Sequence, residues 1–435
     1  MSKSFGKHVS ERGKRASVAH RSTEEEILAG ARDALLAIEN ADCTLDDLLD
    51  DEKFRNMRRI LSHLLLGYFK HKKVIDSTLA EFFRKTPAPP THALLKAALT
   101  QALLQKRMAP QAVVNVAVEV AKKERNQGFV NAVLRRALEK SSGKELSTLP
   151  EDVLPETLLA RWKKHFTHPQ LQELTTAFLS TPEFTFRMER GTVPASFDYH
   201  EAYTIDKRFP FGAAAPAHVL ESEEFKSGNI YIQDPAASLA PSMAPEESFE
   251  CILDLCSAPG GKSLMLLEKY PEVKKFIAYD RSARRHKLTE KNFALRKIFH
   301  TVTCDPACLE EKWNLILIDA PCTNTGVFRR RPDALWRFSS AELYKTVDIQ
   351  RELLDFSAAR LASGGYILYS TCSIESEEDE KQVENFLNTH ADFTLINQKK
   401  LLPGTLHDGA FCALLAKKTS RIKVHQSKFF KRFGS

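Results

Sequence analysis

The sequence predicts a multidomain protein, with an all-α domain first and an α/β domain on a doubly wound parallel sheet after it. Three observations predict this. Between about residues 20 and 140, apolar residues recur at helical spacing and no strand pattern interrupts them. From Tyr231 onward, short apolar runs alternate with amphipathic stretches: Ile252 to Asp254, Phe276 to Asp280, Val302 to Asp305, Leu315 to Asp319 and Tyr366 to Cys372. Each run ends at a polar or reactive residue, as strands do when a site lies beyond their carboxyl ends. The third observation is Asp254-Leu255-Cys256-Ser257-Ala258-Pro259-Gly260-Gly261-Lys262-Ser263, the sequence form of a strand passing to a helix through a tight loop.

The helical part can be followed element by element. Thr23 and Glu26 have capping-box spacing, and Ile27, Ala31, Leu35 and Ile38 continue as a helix. Ile60 to Tyr68 predict a second helix and Leu79, Phe82 and Phe83 a third. After the breaker Pro87-Ala88-Pro89-Pro90, Leu94 to Leu103, Val113 to Val120 and Phe129 to Arg136 complete the set. Ser141-Ser142-Gly143-Lys144 reads as a linker. The expected organisation is a basic arm (1–22), the helical domain (23–140), a small mixed segment with an irregular stretch up to about residue 228 (150–228), the α/β domain (229–418) and a basic tail (419–435).

Composition sets bounds. A chain of 435 residues holds two or three domains, and 43% hydrophobic with 27% charged residues is globular. A net charge of +7 leans toward an anionic partner. Eight cysteines with no apolar signal core predict free thiols in a reducing, cytoplasmic setting, although an Arg- and Ser-containing start also suits a transit peptide. Cys304 and Cys308 lack a second pair or a histidine at finger spacing, so no metal is expected. No membrane span is expected either.

The loop at 256–262 narrows the ligand. Its glycines allow close approach of backbone, and the helix that follows presents free N–H groups. The first glycine of a P-loop is missing, and so is the dinucleotide fingerprint G-x-G-x-x-G. An adenosine-type ligand without a pyrophosphate remains, of which S-adenosylmethionine is the commonest; the alternative is an ordinary β–α turn. Asp280 ends the second strand where such folds clamp ribose hydroxyls, and Asp305 ends the third, in reach of an adenine amino group. Each acid could instead cap the helix that follows.

Asp319-Ala320-Pro321-Cys322 and Ser370-Thr371-Cys372-Ser373 end the fourth and fifth strands, expected to be neighbours. Two thiols at one pocket suit methylation at cytosine C5, which is too weak a nucleophile to attack a methyl group directly. A thiolate adding to C6 activates it, and a second group assists release. The alternative is two small buried hydrophobes.

Asp254 to Lys262, Asp-Ala-Pro-Cys-Thr-Asn-Thr-Gly at 319–326 with Arg329-Arg330-Arg331-Pro332-Asp333-Ala334-Leu335-Trp336, and Ser-Thr-Cys-Ser-Ile-Glu-Ser-Glu-Glu at 370–378 resemble the signature blocks of the RNA cytosine-5 methyltransferases. Residues 111–136 resemble the last helices of the NusB-type RNA-binding domain. The resemblance implies an all-α NusB-like domain followed by a Rossmann-like α/β S-adenosylmethionine-dependent methyltransferase domain. It implies methylation of C5 of a cytosine in RNA, in small-subunit (16S) ribosomal RNA, through a covalent adduct. The alternatives are the same chemistry on transfer RNA and a non-catalytic RNA-binding factor, and a dead enzyme has no need of both cysteines. No obligate protein partner is inferred.

Carried over, Cys372 is the nucleophile, Cys322 the thiol that helps release product, and Asp319 the group on the cytosine edge. Cys256, Ser257, Ala258, Pro259, Gly260, Gly261, Lys262, Asp280, Asp305 and Asp319 line the cofactor. Arg329, Arg330, Arg331, Trp336, Arg135 and Arg136 are expected on RNA, the three adjacent arginines because like charges repel unless an anion is near. The chain departs from the family pattern at Asn324, where glycine is usual, at Ser376, where proline is usual, and at Glu189-Arg190, where an asparagine is expected.

Overall fold

The computed structural model describes residues 23–40, 43–49, 51–105, 107–189 and 196–419. The basic arm, the tail beyond residue 419 and Arg190 lie outside the described residues. The described chain forms two compact units, one containing residues up to Tyr68 and Ile75–Glu145, the other Phe69–Val74 and the chain from Leu146 onward.

The first unit is all-α. Thr23 and Glu26 close the expected capping box: the Thr23 N–H donates to Glu26 Oε2 at 2.7 Å and the Glu26 N–H to Thr23 Oγ1 at 3.2 Å. The helix they start, Glu24–Asn40, packs on Pro89–Leu104, which also meets Pro110–Val120 and Gln127–Ser141. Pro89–Leu104 is apolar around most of its circumference and wholly buried at Leu94, Leu95, Ala97, Ala98 and Leu99, as the central helix of a bundle must be. The expected helices at 60–68 and 79–83 lie in one run, Arg58–Ala80, as two helical pieces that meet at a kink at His71 (φ −117°, ψ 18°), and Phe82 and Phe83 lie past its end.

The second unit includes helices Glu156–Trp162 and His168–Leu179 and a small antiparallel sheet of β1 (Thr185–Met188), β2 (His200–Glu201), β3 (Phe211–Ala213) and β4 (Ile230–Ile232), in the order β2-β3-β1-β4. The stretch expected to be irregular thus supplies short strands. Tyr231-Ile232 pairs with β1 instead of opening the catalytic α/β pattern, because alternating apolar residues do not reveal which sheet they join.

The main sheet has seven strands: β5 (Cys251–Leu255), β6 (Lys275–Tyr279), β7 (Thr301–Thr303), β8 (Trp313–Asp319), β9 (Leu361–Thr371), β10 (Phe393–Leu401) and β11 (Ala410–Lys417). Their order is β10-β11-β9-β8-β5-β6-β7. β5 to β9 are parallel, and β10 and β11 add an antiparallel edge. Strand order reverses between β5 and β8, and the crevice beyond their carboxyl ends is where such sheets bind ligands. The sheet is covered on both faces, which accounts for continuous runs such as Leu315-Ile316-Leu317-Ile318, all wholly buried.

The small sheet is tied to the main domain by buried charge. Arg187 on β1 is 1% exposed and pairs with Glu268 on the helix Gly261–Lys269. Glu268→Ala leaves that guanidinium buried without its partner and is expected to lower stability by about 3–5 kcal/mol. Denaturant unfolding checks this; a loss below about 1 kcal/mol contradicts a structural role for the pair.

Candidate active site

The parallel register of β8 and β9 sets Ile318 beside Tyr369 and Asp319 beside Ser370, so the loops that follow leave the sheet side by side. Each loop carries one cysteine. Cys322 Sγ and Cys372 Sγ stand 3.3 Å apart, and both residues are half-buried. Backbone contacts lock the loops together: the Gly326 N–H donates to the Cys372 carbonyl at 2.9 Å and the Gly409 N–H to the Gly326 carbonyl at 2.7 Å. A Cβ on Gly326 would lie 2.6 Å from that Cys372 carbonyl oxygen, so only glycine fits there.

The hydrogen bond to Cys372 first, then burial, with the charge of Glu378 adding to both, push the Cys322 thiol well above its ordinary pKa. Cys322 is therefore held as a neutral thiol. Glu378, wholly buried, accepts from the Thr323 N–H at 2.9 Å, from Thr346 Oγ1 at 2.7 Å and from Gln350 Nε2 at 3.1 Å. Gln350 also donates to the Pro321 carbonyl at 2.9 Å. This carboxylate fixes the loop on both sides of Cys322. Sequence reasoning missed it, although the acidic run after Cys372 was the available signal.

Asp319 pairs with Lys262 Nζ at 2.7 Å, bringing the end of β8 to the loop after β5. Burial works against the Lys262 charge, but attraction and hydrogen bonding to Asp319 outweigh it and raise its pKa. In that loop Cys256 has φ 60° and Gly260 φ 100°, and a Cβ on Gly260 would meet Thr289 Cγ2 at 2.9 Å. The Ser257 N–H donates to the Tyr279 carbonyl, and Asn292 Nδ2 holds the Pro259 carbonyl at 2.8 Å. Burial pushes the Cys256 thiol up to about 12, so it is no nucleophile.

Asp280 fits a ribose clamp. It is wholly buried, its Oδ1 accepts from the Ser282 N–H at 2.8 Å and from Arg285 at 3.2 Å, and its Oδ2 has no partner. An unpaired buried carboxylate oxygen is costly and suits a hydroxyl donor. Asp305 is exposed, and its Oδ1 accepts from the Ala307 N–H at 2.9 Å, a cap that occupies one of its two carboxylate oxygens.

The expected RNA-contact residues separate into two groups. Arg329 is 1% exposed and pairs with Asp234 at 3.1 Å and Asp408 at 3.2 Å; Arg330, partly buried, pairs with the same two carboxylates at 2.9 and 3.1 Å. The anion that such a run of arginines needs is supplied inside the protein, and the burial of Arg329 corrects the expectation that it meets RNA phosphate, while Arg330 keeps 31% of its side chain exposed. Trp336 is half-buried; its indole N–H donates to the Phe69 carbonyl at 2.7 Å and its ring faces Lys72. Arg331, Arg135 and Arg136 are exposed.

A doubly wound sheet with a glycine loop after β5, a buried acid after β6 and no phosphate-binding motif defines a methyltransferase that uses S-adenosylmethionine. The family model described as 16S rRNA methyltransferase RsmB/F matches residues 240–415, and that of the NusB family matches residues 27–139. Ribosomal RNA small subunit methyltransferase B of Vibrio cholerae serotype O1 is 31% identical over 354 residues, covering 75% of this chain and 81% of that protein. Its counterpart in Escherichia fergusonii is 32% identical over 365 residues, with 75% and 82% covered. The crystal structure of PH0851 superposes with a TM-score of 0.73 over 91% of this chain and 99% of the other at 23% identity, which establishes the shared fold. The chain belongs to the RsmB/F family of 16S rRNA methyltransferases. Among the described residues no helix is long and apolar enough to cross a membrane.

Burial pushes the Asp254 carboxyl from 3.8 up to about 8; a hydrogen bond from Ser263 opposes this and the Asp319 charge adds to it. Between pH of about 4 and 8 the folded protein holds a proton that the unfolded chain has released, so this group's contribution to stability falls as pH rises through that window. Asp254→Asn should remove that part of the slope. Unfolding midpoints measured against pH for both proteins test it, and identical slopes contradict it.

Proposed function

We propose that the enzyme methylates C5 of a cytosine in small-subunit ribosomal RNA through a covalent Cys372–C6 adduct. The observation that carries this reading is the 3.3 Å contact of Cys322 and Cys372 at the ends of adjacent strands. A single nucleophile would explain one cysteine, and base N-methylation would require neither.

In this reading Cys372 gives up its thiol proton to N3 of the cytosine, which sheds it again to solvent when the aromatic ring is restored, while the sulfur bonds to C6 and the electron pair displaced from the C5–C6 double bond makes C5 nucleophilic. Bound S-adenosylmethionine supplies an electrophilic methyl group. We assign its ribose to Asp280, with residues 256–262 and Asp305 around the remainder of the cofactor. Asp319, held beside Lys262, accepts from the cytosine edge. For release, the C5 proton must leave and the S–C6 bond must break. Cys322, held as a thiol, donates its proton to the departing Cys372 sulfur, and the thiolate it becomes accepts the proton from C5. RNA contact falls to Arg135, Arg136 and Arg331, the exposed members of the expected set.

Cys372→Ala should abolish methylation and form no adduct, whereas Cys322→Ala should accumulate a denaturant-resistant protein–RNA complex that contains the transferred methyl group. Release of methylated RNA by Cys322→Ala at the normal rate would sink the division of labour. Bisulfite mapping of ribosomal and transfer RNA from cells with and without the gene should show the lost signal in small-subunit RNA; a loss confined to transfer RNA reassigns the substrate. Replacing Arg135 and Arg136 together with Ala should weaken RNA binding and lower its log–log salt slope by about one to two, with S-adenosylmethionine affinity unchanged. An unaltered slope removes these arginines from the interface.

A further inference from the structure

We propose that Asn324 is a positioning residue that holds the Cys372 thiol for attack by bridging it to the Cys322 loop. The proposal rests on the reading of Cys372 as nucleophile.

The backbone at Asn324 has φ 60°, in the left-handed region. Glycine adopts this conformation without cost, and asparagine is among the few other residues that tolerate it. The backbone is therefore satisfied by either residue, and what asparagine adds is its amide. Nδ2 donates to the Cys322 carbonyl at 2.9 Å, and this fixes which way the amide faces. Oδ1 then lies 3.2 Å from Cys372 Sγ. A carboxamide oxygen can only accept, so Cys372 meets it as S–H. The Asn324 backbone N–H also interacts with the Cys322 sulfur, partly opposing the rise in that thiol's pKa. One residue thus touches both cysteines.

A thiol is a weak donor on a free rotor. Cys372 rotates freely unless an acceptor defines its direction, and the amide, itself anchored on the neighbouring loop, is that acceptor. The sulfur is held between Asn324 and Cys322 before substrate arrives, which is the kind of pre-set geometry that speeds an attack. The loop frame does not depend on this amide. The Gly326 N–H bond to the Cys372 carbonyl, Thr325 Oγ1 against Ser373 Oγ at 3.1 Å and Glu378 on Thr323 remain in its absence.

The test uses the full-length enzyme with S-adenosylmethionine and small-subunit ribosomal RNA carrying 5-fluorocytidine, in which no C5 proton can leave and the adduct persists. Single-turnover adduct formation is compared for the wild type, Asn324→Gly and Asn324→Asp, together with KM, kcat, cofactor affinity and Tm. Asn324→Gly keeps the backbone conformation and removes the amide. It should form adduct about tenfold more slowly, the equivalent of one hydrogen bond, with kcat lowered and KM, cofactor affinity and Tm near wild type. Asn324→Asp has nearly the same shape but sets an oxygen against the Cys322 carbonyl, and should also be slow. Wild-type adduct rates in Asn324→Gly overturn the proposal. So do wild-type rates in Asn324→Asp alone, since the side chain would then merely fill space. An adduct that still forms in Cys372→Ala overturns the nucleophile assignment and this proposal with it, and is distinguishable because it does not involve Asn324.

Discussion

The parallel pairing of β8 with β9 is the constraint on which the site depends. It makes Asp319 and Ser370 neighbours, and Cys322 and Cys372, which follow them closely in the two loops, come into contact from positions 50 residues apart in the chain. Sheet register is set by continuous burial on both faces. A slip of one residue would exchange the faces on which Leu315 to Ile318 pack and take Asp319 out of line with Ser370. The geometry of the two sulfurs is thus fixed by the best-packed part of the molecule.

Buried charge then holds the loops in place. Glu378 fixes the backbone around Cys322, and Asp234 with Asp408 holds Arg329 and Arg330 at the end of the same loop. Desolvation cancels much of the attraction in such clusters, so their net contribution to stability is small, while loss of one partner costs about 3–5 kcal/mol. Their use here is positional: each carboxylate accepts from several donors at once, and a loop held in that way has few alternative conformations.

Much of this was legible in the sequence. Five parallel strands, the glycine loop, the capping box at Thr23 and the two cysteine blocks are local patterns, and periodicity or spacing reveals them. What stayed hidden depends on partners distant in the chain. Arg329 to Arg331 look like an RNA surface until Asp234 and Asp408, roughly 80 to 95 residues away, are seen to meet two of them. Tyr231-Ile232 reads as a strand without revealing that its partner is β1. Asn324 showed only as a departure from a family pattern; its φ of 60° explains why glycine is interchangeable for the backbone, and its amide contacts are visible only in three dimensions.

The central claim is that one cysteine of the touching pair becomes bonded to the RNA. The most direct measurement is peptide mapping by mass spectrometry of the adduct formed by the unaltered enzyme on 5-fluorocytidine-substituted small-subunit ribosomal RNA. The account predicts a nucleotide attached to the peptide containing Cys372, with the Cys322 peptide unmodified. Attachment at Cys322, or methylated RNA with no protein-bound nucleotide at all, would contradict it.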